Sequence, residues 1–238
     1  MVLRGSLNED SITVLVHGRP SSSEDNLSRA TGYSLLDAGV SSLAVSLYSH
    51  SPDTRNQVDC KLETNANDLF LLNKALRERG KKMSVVAHSA GAMAALLSVK
   101  LGAEWDRSVL IDPSHGTLWA NTLEPNLPAN KRALIDGRDV LVDINGEGSI
   151  ISVDAYMEKL TLGDTTDLIR GLHGVGIISA ENSSLQDYCR EYFDAAAGPD
   201  KGFMSVPKAN HNFTEPREGI DTAASAATRW IAGLTFAA

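Results

Sequence analysis

Short apolar runs rich in β-branched residues recur along the chain: Ile12–Val16, Ser42–Leu47, Met83–Ala87, Ser108–Asp112 and Val175–Ser179. Stretches with helical spacing lie between several of them. Asp68–Gly80 sets Leu69, Leu72, Ala75 and Leu76 on one face and stops at Arg77, Arg79 and Gly80, basic residues and a glycine being typical of a helix C-terminus. Gly91–Leu101 is apolar almost all round, as a helix buried within a fold would be. Gly219–Leu234 carries Ile220, Ala223, Ala227, Trp230, Ile231 and Leu234 at helical intervals. Strands alternating with helices imply a parallel sheet covered on both faces, an α/β architecture. The rhythm breaks from Pro113 to Leu172, where Arg138–Val153 reads as a hairpin turning at Asn145–Gly146–Glu147–Gly148. Residues 113–172 are therefore expected to form a short inserted cap within one domain spanning 1–238.

Ligands in parallel α/β sheets bind beyond the carboxyl ends of the strands, so residues just after each strand are the ones to inspect. Ala87-His88-Ser89-Ala90-Gly91 sits between a strand-like and a helix-like run. It resembles the nucleophile elbow, G-x-S-x-G, of the α/β-hydrolase family, with Ala87 in place of the first glycine. Small residues belong there because the chain turns sharply against neighbouring backbone. His17-Gly18-Arg19-Pro20 follows Ile12–Val16, where many members of that family carry a His-Gly pair. The resemblance makes Ser89 the nucleophile. It also makes the backbone N–H groups of Ala90 and Arg19 the oxyanion donors, since Pro20 has no N–H to give.

Ala209-Asn210-His211-Asn212-Phe213 follows a last strand-like run, Met204–Val206, and looks like the family's base-bearing loop. Of six histidines only His211 has both the chain order and the context of the base. The acid departs from the commoner pattern. After the penultimate strand the chain reads Ser179-Ala180-Glu181-Asn182-Ser183, with no aspartate where many members have one. Two choices stay open: Glu181, or Asp112 in Ile111-Asp112-Pro113-Ser114, similar to the site that some lipases of this fold use. Asp112 is preferred. Both keep the order serine, acid, histidine.

Such a constellation implies a serine hydrolase cleaving the carboxylic ester of a small or medium substrate through an acyl-enzyme, with no cofactor. The resemblance is nearest to small dienelactone-hydrolase-like and cinnamoyl-esterase-like enzymes. Amide, thioester or carbon–carbon bond hydrolysis, or a non-catalytic ligand-binding role, are the alternatives on the same fold. Trp119, Leu123, Leu127, Tyr156, Met157 and Leu160 either line a pocket or pack the cap. The Arg19 side chain either meets an anionic substrate group or stays solvated.

The remaining composition limits the partners. Thirty acidic against 22 basic residues, a net charge of −8, speak against nucleic-acid binding. No apolar run approaches the length of a membrane span, and Met1–Asp10 lacks the apolar core of a signal peptide. Two distant cysteines, Cys60 and Cys189, fit reduced thiols in a cytoplasmic protein. No metal-ligand spacing occurs.

Overall fold

A computed structural model describes residues 1–19, 21–48, 55–56, 60–118, 121, 131–135, 138–142 and 150–236. Among the described residues the strands are β1 (Val2–Arg4), β2 (Ser11–Val16), β3 (Ser41–Val45), β4 (Lys82–His88), β5 (Arg107–Ile111), β6 (Lys131–Ile135), β7 (Arg138–Val142), β8 (Ile150–Ser152), β9 (Val175–Ala180) and β10 (Lys201–Val206). Seven form one sheet in the order β1-β3-β2-β4-β5-β9-β10. All its pairs are parallel except β1 with β3. β3 and β9 are buried along their whole length, which is why apolar residues follow one another in Leu43-Ala44-Val45 and Ile177-Ile178 rather than alternating with exposed polar ones.

Strand alternation assigns side chains to two cores. Ile12, Val14 and Val16 of β2 point to a core built with helices α2 (Leu62–Arg77) and α3 (Ala90–Lys100), through Leu69, Leu76, Ala92 and Leu96. Leu15, between them, points to the other face. There it meets α1 (Asn26–Asp37) and the C-terminal helix Gly219–Ile231 through Leu27, Leu35, Ala223 and Trp230. Among the described residues, three α-helices lie beyond the sequence reading: α1, Val153–Thr161 and Gln186–Ala195. α1 hides because Ser28, Thr31 and Gly32 are poor helix formers. Its start is fixed by Asp25, whose carboxylate accepts from Ser28 N at 2.6 Å.

α2 begins at Leu62, six residues ahead of the stretch expected from Asp68. Its N-cap, Lys61, makes no side-chain cap bond. The cap comes from far away in sequence: Glu158 accepts from Leu62 N and Glu63 N, each at 2.7 Å. A carboxylate there satisfies orphan N–H groups and meets the positive end of the helix dipole. Glu158 lies on α4 (Val153–Thr161), capped in turn by Ser152. Ahead of α4, β6, β7 and β8 form a separate antiparallel sheet. The expected hairpin corresponds to the β7–β8 pair, Val142 opposite Ile150, its turn at 145–148 lying outside the described residues. β6 adds a strand that the sequence reading lacks. A 3-10 helix, Thr166–Gly171, leads into β9. The helices α5 (Gln186–Ala195) and α6 (Gly219–Ile231) complete the fold.

Order in the sheet decides where a site can form. The chain runs from β2 out to β3, then returns to place β4 on the other side of β2. Such a reversal opens a crevice at the carboxyl ends of β2 and β4. Val16 pairs with Ala87, His88 with Ile111 and Ile111 with Ile178. The residues after these strands therefore line one edge.

Candidate active site

Ser89 stands between β4 and α3 with φ 52° and ψ −121°, a backbone conformation that costs a non-glycine residue roughly 1–3 kcal/mol. Neighbouring backbone explains the small residues around it. A Cβ on Gly91 would lie 2.3 Å from the His17 carbonyl oxygen, and one on Gly18 would lie 2.9 Å from Ser89 Cβ. Ala87, by contrast, sits within β4 between Val16 and Leu110, where its methyl joins the core.

Asp112 follows β5, also at positive φ, 41°, and is fully buried. Its carboxylate is surrounded by donors. Oδ1 accepts from Ala180 N at 3.1 Å, and Oδ2 accepts from Ser183 Oγ at 2.6 Å. His211 Nδ1 lies 2.6 Å from Asp112 Oδ2, and His211 Nε2 lies 2.9 Å from Ser89 Oγ. A carboxylate accepts from Nδ1–H, leaving Nε2 bare to accept from the serine hydroxyl. Chemically, the arrangement can lift a proton from Ser89 and hold the resulting imidazolium.

Glu181 lies elsewhere. Its Oε2 accepts from Lys208 N at 2.7 Å, so it braces the histidine loop. Asn182 adds two bonds to that loop, N to Ala209 O at 2.9 Å and Nδ2 to Lys208 O at 3.1 Å. From the far side, His88 Nε2–H donates to the His211 carbonyl at 3.0 Å. Burial, with the neighbouring His211 second, pulls the His88 pKa down to about 4, so this ring is neutral. Phe213 anchors the loop from below, fully buried.

His17 and His115 are framework groups, with pKa values lowered chiefly by burial. His17 Nδ1–H donates to Gly18 O at 2.7 Å and Nε2 accepts from Leu47 N, tying the ends of β2 and β3 together. His115 lies 3.0 Å from Thr166 Oγ1 and stacks on Tyr188.

Ala90 N–H opens α3, and neither it nor Arg19 N–H donates to another group among the described residues. Ser114, also missed as a functional candidate, places its hydroxyl 3.3 Å from Ser89 Oγ and donates its N–H to Ser89 O at 3.2 Å. No motif marks Ser114 or Ser183; each is a small polar residue whose partner is remote in sequence. An open cleft of about 580 Å³ adjoins the site, lined by Gly18, Arg19, Asp25, His88, His211 and Asn212 among others. Of the apolar residues considered for a pocket, Tyr156 is buried and Met157 exposed; Trp119, Leu123 and Leu127 lie outside the described residues. Both cysteines are buried free thiols. Among the described residues no group of three or more His, Cys, Asp or Glu could hold a metal, and no helix is long and apolar enough to cross a membrane.

A strand–serine–helix elbow at the switch point of a mostly parallel sheet defines an α/β-hydrolase fold. The model of the alpha/beta hydrolase family matches residues 13–222, and the chain belongs to that family. No curated protein sequence matches it significantly. Among solved structures, it is similar to Est1E from Butyrivibrio proteoclasticus with ferulic acid bound, at 13% identity and TM-score 0.73 over 97% of this chain and 94% of that one. A monoacylglycerol lipase of Paleococcus ferrophilus matches at 15% identity and TM-score 0.71, over 98% and 97% of the two chains. A thermophilic esterase from Thermogutta terrifontis, malate-bound, matches at 16% identity and TM-score 0.68, over 98% and 92%.

Proposed function

We propose that this protein is a serine hydrolase that cleaves a carboxylic ester of a small or medium substrate, with Ser89 as nucleophile, His211 as base and Asp112 as the orienting acid. The observation that carries the reading is the hydrogen-bonded line Ser89–His211–Asp112, with links of 2.9 and 2.6 Å. His211 takes the hydroxyl proton as Ser89 Oγ attacks the ester carbonyl. The tetrahedral oxyanion is met by the N–H groups of Ala90 and Arg19, donors worth about 3 kcal/mol each in such sites. His211 then protonates the leaving alcohol, and water reverses the sequence to free the acid. Asp112 stays anionic throughout and stabilises the imidazolium. Residues 113–172 serve as a cap that selects substrate. The esterases and the lipase that share this fold support ester cleavage.

Purified protein is offered p-nitrophenyl esters of rising acyl length and, separately, a fluorophosphonate probe. Turnover of the short and medium esters with labelling at Ser89 is expected. Labelling without turnover of any ester would move the reaction to an amide, thioester or carbon–carbon bond. Neither labelling nor turnover would leave a binding protein.

A further inference from the structure

Two residues past Asp112, the same loop presents a second polar side chain to the site. Ser114 is buried, 5% exposed. Its N–H donates to Ser89 O at 3.2 Å, and its hydroxyl lies 3.3 Å from Ser89 Oγ. Among the described residues that hydroxyl has no other partner.

Proton count gives the contact a direction. Asp112 accepts from His211 Nδ1–H, so His211 Nε2 is bare and accepts from Ser89. A serine hydroxyl carries one proton, and Ser89 commits its own to His211. The proton between the two serines therefore belongs to Ser114, which donates to a lone pair of Ser89 Oγ.

The donor is held from behind. Tyr192 Oη–H donates to Ser114 O at 3.2 Å. Thr165 Oγ1 lies 2.6 Å from Tyr192 Oη and accepts from Gly116 N at 3.2 Å, so its own proton goes to Tyr192. Ser114, Tyr192 and Thr165 are all buried. Gly116 packs so closely on the Gly163 carbonyl that no Cβ fits. Each hydroxyl in this chain has an acceptor, the condition under which a buried polar network is rigid rather than costly.

We infer that Ser114 is a further catalytic residue, its hydroxyl donating to Ser89 Oγ while charge develops there, and that Tyr192 is its positioning residue. The inference rests on the ester-hydrolase reading above. As His211 takes the proton, electron density grows on Ser89 Oγ until the bond to the carbonyl carbon forms. When the acyl-enzyme is hydrolysed, the bond from that carbon to Oγ breaks. Oγ keeps the electron pair and regains a proton from His211. A preplaced donor stabilises the charge on both occasions. Ser114 keeps its own proton throughout and forms no covalent bond. It serves the nucleophile's oxygen, whereas Ala90 and Arg19 N–H serve the carbonyl oxygen.

Single turnovers of p-nitrophenyl butanoate, with protein in excess, test this. Release of p-nitrophenolate reports acylation alone, and its dependence on protein concentration separates the rate constant from the dissociation constant. Active protein is counted by fluorophosphonate labelling, so a partly unfolded variant does not distort either value. Ser114→Ala should lower the acylation rate constant about tenfold or more, the loss of one hydrogen bond to a charged group. Its dissociation constant should stay within ~2-fold of wild type, because the hydroxyl touches the nucleophile and not the bound ester. Ser114→Thr keeps the hydroxyl and should recover part of the rate; Ser114→Cys, close in size but a weak donor, should stay low. Tyr192→Phe should slow acylation by itself and add nothing in the Ser114→Ala background, since it acts through the missing hydroxyl. Acylation at the wild-type rate in Ser114→Ala, full activity in Ser114→Cys, or a loss confined to the dissociation constant overturns the role of Ser114. Additive losses overturn that of Tyr192. If wild type releases no p-nitrophenolate, the ester-hydrolase reading fails by itself, and the rate of Ser89 labelling by the fluorophosphonate replaces acylation. Slower labelling of Ser114→Ala by the same factor then supports the inference; an equal rate, or no labelling of wild type, overturns it.

Discussion

Ser183 Oγ donates to Asp112 Oδ2 across 2.6 Å. Ser183 stands in the loop after β9, where relatives of the commoner pattern keep their acid, and Asp112 stands after β5, the next strand in. Neighbouring strand ends are only about 4.8 Å apart. A carboxylate moved across by one strand can therefore still reach the same imidazole, while the vacated loop contributes a hydroxyl that holds the carboxylate in place.

Asp112→Asn is expected to lower kcat by about 10⁴, as the equivalent change does in a serine protease, because an amide supports the wrong histidine tautomer. Glu181→Gln should cost less than ~10-fold, since the amide oxygen still accepts from Lys208 N. Ser183→Ala should cost about tenfold, one hydrogen bond to a charged group. Steady-state kinetics of the three variants check the order. A larger loss in Glu181→Gln than in Asp112→Asn would relocate the acid.

Ser89→Ala should abolish both ester turnover and fluorophosphonate labelling while the protein stays folded by circular dichroism. Ser89→Gly adds a separate test of strain. At φ 52° glycine fits with little penalty, so Ser89→Gly should be more stable than Ser89→Ala by ~1 kcal/mol in urea titration. Equal midpoints would mean that the elbow stores no strain.

Gly91→Ala is a packing prediction. Its methyl would lie 2.3 Å from backbone, the His17 carbonyl, with no flexible side chain to give way. Destabilisation of about 3 kcal/mol or more is expected, read as a lower denaturant midpoint with unchanged slope.

Acid should weaken the fold through its buried histidines. His88 has a folded pKa of about 4 against 6.5 for the free side chain, and those of His17 and His115 are also lowered. The unfolded chain therefore takes up protons first as pH drops. The stability is complete above pH ~6.5 and is lost as pH falls towards ~4, by on the order of 3 kcal/mol for His88. Melting temperatures measured from pH 7.5 to 4.5 should decline, and less steeply in His88→Gln, whose amide can still donate to the His211 carbonyl. Parallel declines in the two proteins would remove His88 as a cause.

The α/β class, the elbow at Ser89 and the loop of His211 were legible because each rests on local chemistry: continuous apolar strands, small residues beside a sharp turn, a histidine after the last strand. Residue order along the chain is enough for such features. The helix start at Leu62 was not legible, since its cap, Glu158, arrives from residues nearly a hundred positions away. β6 and the parts played by Ser114 and Ser183 escaped for the same reason.

The choice between Asp112 and Glu181 illustrates the boundary. Both follow strands, both carry carboxylates, and both lie between the serine and the histidine in the chain. Sequence alone determined that one edge of a parallel sheet would gather a serine, a histidine and an acid. Only the tertiary structure decided which carboxylate meets the histidine, because a hydrogen bond depends on the direction of a side chain. At φ 41° the Asp112 backbone turns its carboxylate to His211 Nδ1 at 2.6 Å, whereas Glu181 extends to Lys208 N.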